Sequence, residues 1–560
     1  MTVLPPPGAP ERTGGELLAA QLAREGIRQI FGIPGVQLDH AVDGLARNGQ
    51  IALWNARHEQ AVGYMASGYA RSRRDVGTFM VVPGPGLLNA ASALATSYAC
   101  SARVLAICGQ LPLGAIGKGL GLLHDIPDQS GHLAGLTKWS ALARSADDLA
   151  ALVRQAVREL RSGRPRPVGL EVPPDVLAAK TRAAVIDPPG DGTGLLTPEP
   201  DVAAKAAAIL RAARMPLIYA GGGAIAAGAS AELAAVAELL GAPVVMSVNG
   251  RGALPDQHPL ACGPLTAAEL LPAADVVLAV GSRFLGSRGQ ALPASPGATT
   301  ISVNADPADL AGPRAPDIAV RADARLALQA IAAELAGGRP VSQWGTAPGQ
   351  ARQKCAERLA RLEPQMSYVS ALREAMPDDG ILVSEFTQVG YVADFAYPVR
   401  EPYTYIRSGY QGTLGFGFPT ALGAKAGCPG SPVVSITGDG GFGFNLAELA
   451  TARQYNIAVI VVVFVNNAYG NVLRTQQEKF AGRVLAAELT NPDFVALARA
   501  FHLGAARAES PAALKGILAE AIGGRAPFLI EVPIRDGPTP WPLLMPRRPH
   551  RPASARPFKN

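Results

Sequence analysis

The stretch VVSITGDGGFGFNLAELATARQYNIAVIVVVFVNN, residues 433–467, contains two short apolar segments that each end in a polar turn. These segments, 433–437 and 459–465, are rich in Val and Ile and apolar on both faces, which is typical of buried parallel strands. The GDGG turn at 438–441 follows the first segment, and the NN pair at 466–467 follows the second. This order predicts a doubly wound α/β domain with a parallel sheet.

The same alternation runs through the rest of the chain. Further short apolar segments lie at 78–82, 104–108, 216–219 and 276–280, and Ala-rich segments of helical length lie at 148–162 and 198–214. Two stretches rich in Pro and Gly, 186–200 and 336–350, predict linkers because they lack a periodic apolar pattern. We therefore expect a first domain at 12–185, a central domain at 198–335 and a third domain at 365–540.

The first and third domains have similar endings, GRPRPVGLEVP at 163–173 and GRAPFLIEVP at 524–533. The repeat indicates a duplicated domain on either side of a distinct central one, and two unrelated last strands are the alternative. The predicted fold class is three doubly wound parallel-sheet α/β domains. The first and third are homologous, and the central one resembles a nucleotide-binding fold.

The positive charge of the chain is concentrated at one end. The 560 residues include 51 Lys and Arg against 45 Asp and Glu, a formal charge of +6. Residues 541–560 contain five cations and no acid, so the remaining chain carries only +1 (6 − 5); these cations are Arg547, Arg548, Arg551, Arg556 and Lys559. The charge therefore excludes a nucleic-acid or membrane surface on the body. A Pro-rich solubilising tail is predicted at 541–560, with attraction of an anionic substrate as the alternative.

Other features of the composition predict a soluble cytoplasmic protein. The 48% apolar and 17% charged content excludes a disordered or fibrous chain. Five widely spaced cysteines suggest reduced thiols rather than disulfides or a zinc site. No secretory signal is visible, and the longest apolar run, 457–465, is too short to span a bilayer.

The turns at 438–441 and 466–467 have the residue types of a phosphate and metal site. Glycines between a strand and a helix let backbone N–H groups approach a phosphate. The Asp439 carboxylate suits a hard cation such as Mg²⁺, and an amide oxygen and an open carbonyl after the next strand can complete its ligands. Because parallel strands end at the same edge of a sheet, both turns are expected to face one site.

This pair of motifs resembles the thiamin diphosphate (ThDP) site of the ThDP-dependent decarboxylases and carboligases, and most nearly that of acetolactate-synthase-like proteins. The resemblance extends over about residues 12–540. It implies Mg²⁺ bound by Asp439, Asn466 and the backbone carbonyl of Ala468, with Asn467 as the alternative to Asn466. It also implies cofactor contacts from Glu385, Phe386, Thr387, Gln388, Gly438, Gly440, Gly441, Tyr469 and Gly470.

The resemblance includes the other residues that act on the cofactor in this family. The segment 57–71 looks like the helix whose glutamate shares a proton with the aminopyrimidine ring, which implies that Glu59 is catalytic. Turns containing Gly35 and Gly84 would line the pyrimidine side, and Gln110 would reach towards the reacting centre. In 412–417, Gly412 would hold the pyrimidine edge and Leu414 would bend the cofactor. Taken alone, each has an ordinary alternative as a helix carboxylate, a tight turn or a core leucine.

The resemblance implies decarboxylation of a small 2-keto acid, followed by carboligation of the product to a second carbonyl compound. Alternatives are simple decarboxylation, cleavage of an acyloin or 2-hydroxyacyl compound, and a non-catalytic ThDP-binding homologue. Substrate contacts are predicted from Val36, Gln37, His124, Asn471, Val472 and Arg474. A flavin (FAD) is doubtful, because RFLGS at 283–287 replaces the RFDDR run that accompanies FAD in acetolactate synthases. The family also implies a homodimer or homotetramer with active sites between subunits.

Overall fold

The computed structural model describes residues 11–188, 194–286, 289–290, 292, 294–312, 315–338 and 342–544. These residues form three α/β domains, each built around a six-stranded sheet whose paired strands all run parallel. The predicted fold class is therefore confirmed.

The first domain has the spatial strand order β2-β1-β3-β4-β6-β5. Its strands are β1 (Gln29–Gly32), β2 (Ala52–Asn55), β3 (Gly77–Val81), β4 (Val104–Gly109), β5 (Trp139–Leu142) and β6 (Val168–Val172). Its helices are α1 (Gly14–Arg24), α2 (Asp39–Asn48), α3 (Glu59–Arg73), α4 (Pro85–Ala99), α5 (Gln129–Leu136), α6 (Leu149–Arg161) and α7 (Pro174–Ala178). A short antiparallel pair, Arg12–Thr13 with Lys180–Thr181, joins the two ends of this domain.

The central domain has the order β9-β8-β7-β10-β11-β12, which is the order of dinucleotide-binding folds. Its strands are β7 (Pro216–Ala220), β8 (Val244–Met246), β9 (Ala261–Cys262), β10 (Val276–Val280), β11 (Thr299–Asn304) and β12 (Ile318–Arg321). Its helices are α8 (Pro200–Ala212), α9 (Gly222–Ala226), α10 (Ser230–Leu240), α11 (Ala267–Leu270), α12 (Pro307–Ala311) and α13 (Ala324–Leu335).

The third domain has the order β14-β13-β15-β16-β18-β17 and so repeats the topology of the first. Its strands are β13 (Ile381–Ser384), β14 (Tyr405–Ile406), β15 (Val433–Gly438), β16 (Val459–Val465), β17 (Gly504–Arg507) and β18 (Phe528–Pro533). Helices α14 to α18 are Ala347–Leu359, Gln365–Ala375, Gln388–Ala396, Gly417–Gly427 and Asp439–Phe442, and α19 to α23 are Leu449–Gln454, Gly470–Lys479, Phe494–Ala500, Pro511–Gly523 and Trp541–Leu544. Strands β6 and β18, which contain the two similar endings, occupy the same place in their sheets, as a duplicated domain requires.

Two regions outside the predicted domains are structured. Within the predicted linker 336–350, Trp344 is buried and donates a hydrogen bond from Nε1 to Pro216 O at 2.6 Å, and α14 begins at Ala347. Pro348 lies in the first turn of α14, where a proline is compatible with a helix, so it does not prevent this helix from forming. At the predicted tail, α23 packs Trp541 against Tyr391 with ring centroids 4.8 Å apart, whereas 545–560 lie outside the described residues.

Helices α3 and α17 cross in backbone contact and join the first domain to the third. A Cβ atom at Gly68 would lie 1.9 Å from Thr420 O, and one at Gly423 would lie 1.8 Å from Met65 O. The small residues of α3 therefore serve an interface within the chain, and one apolar core extends across both domains. No described helix is long and apolar enough to cross a bilayer, and all five cysteines are free thiols.

Candidate active site

The carboxyl ends of β13, β15 and β16 surround a cavity of about 160 Å³ in the third domain. Residues lining it include Phe386, Thr387, Gln388, Tyr391, Leu414, Gly438, Asp439, Gly440, Gly441, Asn466, Ala468, Tyr469, Gly470, Asn471, Val472, Arg474 and Trp541. Helices α16 and α20 both begin at its wall, and the free N–H groups of a helix N-terminus favour a negatively charged group. The cavity therefore suits a diphosphate.

Asp439 is buried at this wall, where backbone and side-chain N–H groups donate to its carboxylate. Its Oδ1 accepts from Gly440 N at 2.9 Å, and its Oδ2 accepts from Asn467 N at 2.7 Å and from Asn491 Nδ2 at 2.9 Å. Burial raises the pKa of Asp439, while these donors act in the opposite direction. A bound cation would favour the charged carboxylate further.

The two asparagines after β16 occupy different environments. Asn466 lines the cavity together with Ala468, and its Nδ2 lies 3.3 Å from Asp536 Oδ1. Asn467 is exposed, has a φ of 54°, and accepts a hydrogen bond from Asn491 Nδ2 on its Oδ1 at 2.9 Å. One carboxylate, one amide oxygen and one backbone carbonyl are the oxygen ligands that Mg²⁺ prefers, so the residues at this wall fit the predicted cation.

Two motif glycines allow close approach of their neighbours at the cavity. A Cβ atom at Gly440 would lie 2.7 Å from Tyr469 Cε1, and a Cβ atom at Gly470 would lie 2.7 Å from Asn466 Nδ2. Any side chain at these positions would displace the Tyr469 ring or the Asn466 amide. The glycines therefore position other candidate residues as well as leaving room for a ligand.

Glu385 has a different position from the one the resemblance implied. Its neighbours Phe386, Thr387 and Gln388 line the cavity, but its own carboxylate lies beneath the loop 412–417. There it accepts from Gly415 N at 2.6 Å and from Gly417 N at 2.8 Å. Burial raises the pKa of Glu385 to about 7. Because Leu414 lies next to these two anchors, Glu385 positions the loop, and it does not line the cavity.

Gln110 is likewise turned into its own domain. Its Nε2 donates to Glu171 Oε1 at 2.7 Å, and its Oε1 accepts from Leu111 N at 2.7 Å. The buried Glu171 carboxylate also accepts from Gln129 Nε2 at 2.9 Å, while Gln129 Oε1 accepts from Gly84 N at 2.8 Å. In this structure Gln110 therefore shares the Glu171 carboxylate with Gln129, and it does not reach outward as the resemblance implied it would.

Glu59 is the first residue of α3 and is half-buried. Its Oε2 accepts a hydrogen bond from Asn89 Nδ2 at 3.0 Å. The preceding turn is held from the third domain by the buried Glu448, whose carboxylate accepts from Arg57 N at 3.0 Å and from His58 N at 3.1 Å. Burial raises the pKa of Glu448. The position of the candidate acid is thus set by a residue almost 400 positions away in the sequence.

The predicted substrate residues fall into two groups. In the first domain, Gln37 Oε1 lies 3.2 Å from His124 Nδ1, and the Gly84 turn packs so closely that a Cβ atom would lie 2.4 Å from His124 O. Val36 and Gly35 belong to the same turn as Gln37. Asn471, Val472 and Arg474 line the third-domain cavity, to which no described first-domain residue contributes.

A larger cavity, of about 1410 Å³, lies where the three domains meet. It adjoins the Gly221-Gly222-Gly223 turn after β7 and the Gly281 turn after β10. A Cβ atom at Gly221 would lie 2.3 Å from Gly281 O, and one at Gly223 would lie 2.6 Å from Gly281 Cα. Close contact between the two turns therefore accounts for Gly221 and Gly223.

Three family models match the chain: the N-terminal TPP (thiamine pyrophosphate) binding domain at 12–132, the central domain at 203–331 and the C-terminal TPP binding domain at 387–532 of thiamine pyrophosphate enzymes. The chain is also 35% identical to a probable 2-ketoarginine decarboxylase of Pseudomonas aeruginosa, over 93% of this chain and 94% of that protein. The chain belongs to the thiamine pyrophosphate enzyme family. Thiamine pyrophosphate is ThDP, so the predicted family is confirmed.

Other members of the thiamine pyrophosphate enzyme family match over similar lengths. The acetolactate synthase isozyme 3 large subunit of Escherichia coli K12 is 32% identical over 91% of this chain and 92% of that protein. A probable acetolactate synthase large subunit of Methanocaldococcus jannaschii is 32% identical over 95% of this chain and 93% of that protein. The acetolactate-synthase-like resemblance is thus confirmed at the level of the family.

The structure adds residues that the motifs did not indicate. Glu448 contacts the turn before Glu59. Asn491 contacts Asp439, and Asp536 contacts Asn466. Trp541 donates a hydrogen bond to Asn471 at the cavity wall. All are distant in sequence from the side chains that they position. Glu448 had one sequence signal, since its neighbours at 446, 447, 449 and 450 are all Leu or Ala.

Proposed function

We propose that this protein uses ThDP and Mg²⁺ to decarboxylate a small 2-keto acid and to join the product to a second carbonyl compound. The observation that carries the proposal is the convergence of Asp439, Asn466 and Ala468 at one wall of the diphosphate-sized cavity. The N-termini of α16 and α20 at the same cavity support it, because they favour the diphosphate charge.

ThDP, when bound, would supply a nucleophilic carbon and an acceptor for the electron pair that the departing CO₂ leaves. Asp439, Asn466 and the Ala468 carbonyl would hold Mg²⁺, and Leu414, which lines the cavity, would support the cofactor. Glu59 would hold a proton at a pyrimidine ring nitrogen.

Arg474 is the candidate group for the substrate carboxylate. Its Nη2 donates to Gly537 O at 2.7 Å, which fixes the guanidinium at the cavity wall while other N–H groups stay available. A guanidinium can bind a carboxylate through two parallel hydrogen bonds. Arg474 would therefore orient the acid group that is lost as CO₂.

The active site would be completed by a second copy of the chain. Glu59 belongs to the first domain, whereas every described residue lining the cavity belongs to the third. Apolar side chains are exposed in both domains, including Leu123 at 63% in the first and Leu485 at 80% in the third, and α20 contains no buried residue. We therefore infer a homodimer, as the minimum assembly, in which the first domain of one subunit faces the third domain of the other.

A second candidate is simple decarboxylation, which the 35% identity to a probable 2-ketoarginine decarboxylase favours. Both candidates share the loss of CO₂ and differ in whether the remaining fragment takes up a proton or a second carbonyl compound. Neither needs an electron acceptor, so the proposal assigns no role to FAD.

The two candidates are separated by a substrate panel. The purified protein with ThDP and Mg²⁺ is given 2-keto acids, including pyruvate and 2-ketoarginine, with and without aldehyde or keto-acid acceptors. Mass spectrometry and CO₂ release then follow the products. Carboligation predicts a coupled product, and simple decarboxylation predicts an aldehyde alone. Cleavage of added acyloins without keto-acid turnover would indicate a lyase, and no turnover of any compound would leave a non-catalytic homologue.

A further inference from the structure

The two candidate metal-ligand side chains are Asp439 and Asn466. Asp439 has two carboxylate oxygens that could bind a cation, whereas Asn466 has one amide oxygen that could and one nitrogen that could not. Which atom each side chain offers depends on contacts with residues outside the GDGG and NN motifs. Asn491 contacts Asp439, and Asp536 contacts Asn466.

Asn491 and the backbone together occupy one oxygen of Asp439. Oδ2 accepts from Asn467 N and from Asn491 Nδ2, whereas Oδ1 accepts from Gly440 N. Oδ1 therefore retains more acceptor capacity for a cation. Asn491 Nδ2 also donates to Asn467 Oδ1 at 2.9 Å, which engages the oxygen of the alternative ligand.

Asp536 determines which way the Asn466 amide points. An ionised carboxylate only accepts hydrogen bonds, so the amide atom facing Asp536 Oδ1 at 3.3 Å must be Nδ2. Oδ1 of Asn466 is then the atom left for the cation. Gln388 Nε2 donates to the same Asp536 oxygen at 2.8 Å and helps to hold that carboxylate in place.

We propose that Asn491 and Asp536 are positioning residues for a divalent cation, each turning one ligand oxygen towards it. The inference rests on the proposed function, since it assumes the cation site at Asp439 and Asn466. It assigns Asp439 Oδ1 and Asn466 Oδ1 as the ligating atoms. It favours Asn466 over Asn467, whose Oδ1 accepts from Asn491 and which does not line the cavity.

Both side chains can be changed without removing the backbone contacts around them. The segment containing Asn491 pairs with the ligand loop through Tyr469 N to Ala487 O and Leu489 N to Asn467 O, both at 2.8 Å. Next to Asp536, Gly537 N donates to Gln388 Oε1 at 3.0 Å. Loss of the side-chain contact alone should therefore lower the affinity for the cation more than the stability of the fold.

The test measures binding of Mn²⁺, as a probe for Mg²⁺, to the full chain by electron paramagnetic resonance at a fixed ThDP concentration, with no turnover. Asn491→Ala and Asp536→Asn are each expected to weaken Mn²⁺ binding about 10- to 100-fold, the usual effect of losing a partner of a metal ligand. Asp536→Glu should restore part of the affinity. Asp378→Asn makes the same change at an exposed carboxylate that pairs with Arg400, and should bind Mn²⁺ like the wild type.

The outcomes separate this inference from the proposed site. The positioning roles are overturned, and the site is left intact, if Asn491→Ala and Asp536→Asn both bind Mn²⁺ within about twofold of wild type while Asp439→Ala loses binding. Unchanged binding in Asp439→Ala overturns the site and the inference with it. If only one of the two variants is weakened, the role is overturned for the other residue. Thermal unfolding of each variant shows whether a loss of affinity reflects a loss of fold, and a weakened variant that unfolds early overturns the positioning role.

Discussion

Replacing Gly470 by Ala should weaken metal binding while leaving the fold intact. Gly470 is the first residue of α20, where alanine fits a helical backbone. The new Cβ atom, however, would lie 2.7 Å from Asn466 Nδ2, while ordinary contacts begin at 3.4 Å. The amide must therefore move by about 0.7 Å (3.4 − 2.7) or rotate away.

A displacement of that size is large for a metal ligand. Ligand distances in metal sites stay within about 0.2 Å of their preferred values, so the moved amide oxygen would leave the cation. Losing this ligand should cost at least as much as losing a partner of a ligand, which is about 10- to 100-fold in affinity. This corresponds to about 1.4 to 2.8 kcal/mol of binding free energy.

Isothermal titration with Mg²⁺ in the presence of ThDP measures the affinity, and differential scanning calorimetry of the ligand-free protein measures stability. Gly516→Ala is the matched control, because Gly516 lies in α22, is exposed, and would have no described atom within 4 Å of an added Cβ. The control should gain stability without any change in Mg²⁺ binding. Wild-type Mg²⁺ affinity in Gly470→Ala would refute the assignment of Asn466 as a ligand.

Three further predictions concern the supports of the site. Glu448→Ala leaves the N–H groups of Arg57 and His58 without their acceptor, which should lower the free energy of unfolding by about 1–3 kcal/mol. Because the turn before Glu59 loses its support, the change should also lower kcat more than it raises KM. An unchanged kcat would contradict the role of Glu448 in placing Glu59. Because burial raises the pKa of Glu385 to about 7 from 4.5, its stabilising contribution is full below pH 4.5 and is lost as pH rises through 7. Urea unfolding should show the stability of wild type relative to Glu385→Gln falling by roughly 2.5 kcal/mol between pH 5 and pH 8, and a flat difference would contradict that pKa. Leu485→Glu places a charge at an exposed apolar side chain and should convert the inferred dimer to a monomer with loss of turnover. Light scattering measures the change in mass. An intact dimer would place the interface elsewhere.

The sheets were predictable because their strands are short, apolar on both faces and bounded by turns. The predicted segments 276–280 and 459–465 coincide with β10 and β16. The candidate ligands were predictable because they follow two such strands at one sheet edge, where Asp439, Asn466 and Ala468 indeed meet. Local residue patterns were sufficient for these features.

Contacts between distant residues were not predictable from one sequence. Asn491 is 52 positions from Asp439, and Asp536 is 70 positions from Asn466. Glu385 follows its strand as the resemblance requires, but the two N–H groups of the loop 412–417 turn its carboxylate beneath the cavity. Trp344 and α14 were missed because Pro and Gly residues around them suggested a linker.

The exchange of the C2 proton of bound ThDP for deuterium tests the central claim most directly, because it reports cofactor activation without any assumed substrate. Wild type and Glu59→Gln are loaded with ThDP and Mg²⁺, mixed with D₂O and quenched in acid at successive times, and the remaining C2 proton is measured by ¹H NMR. The account predicts an exchange slower by about 100-fold or more in Glu59→Gln with ThDP still bound, in line with the usual contribution of a general acid–base group. Exchange in the variant as fast as in wild type would contradict it.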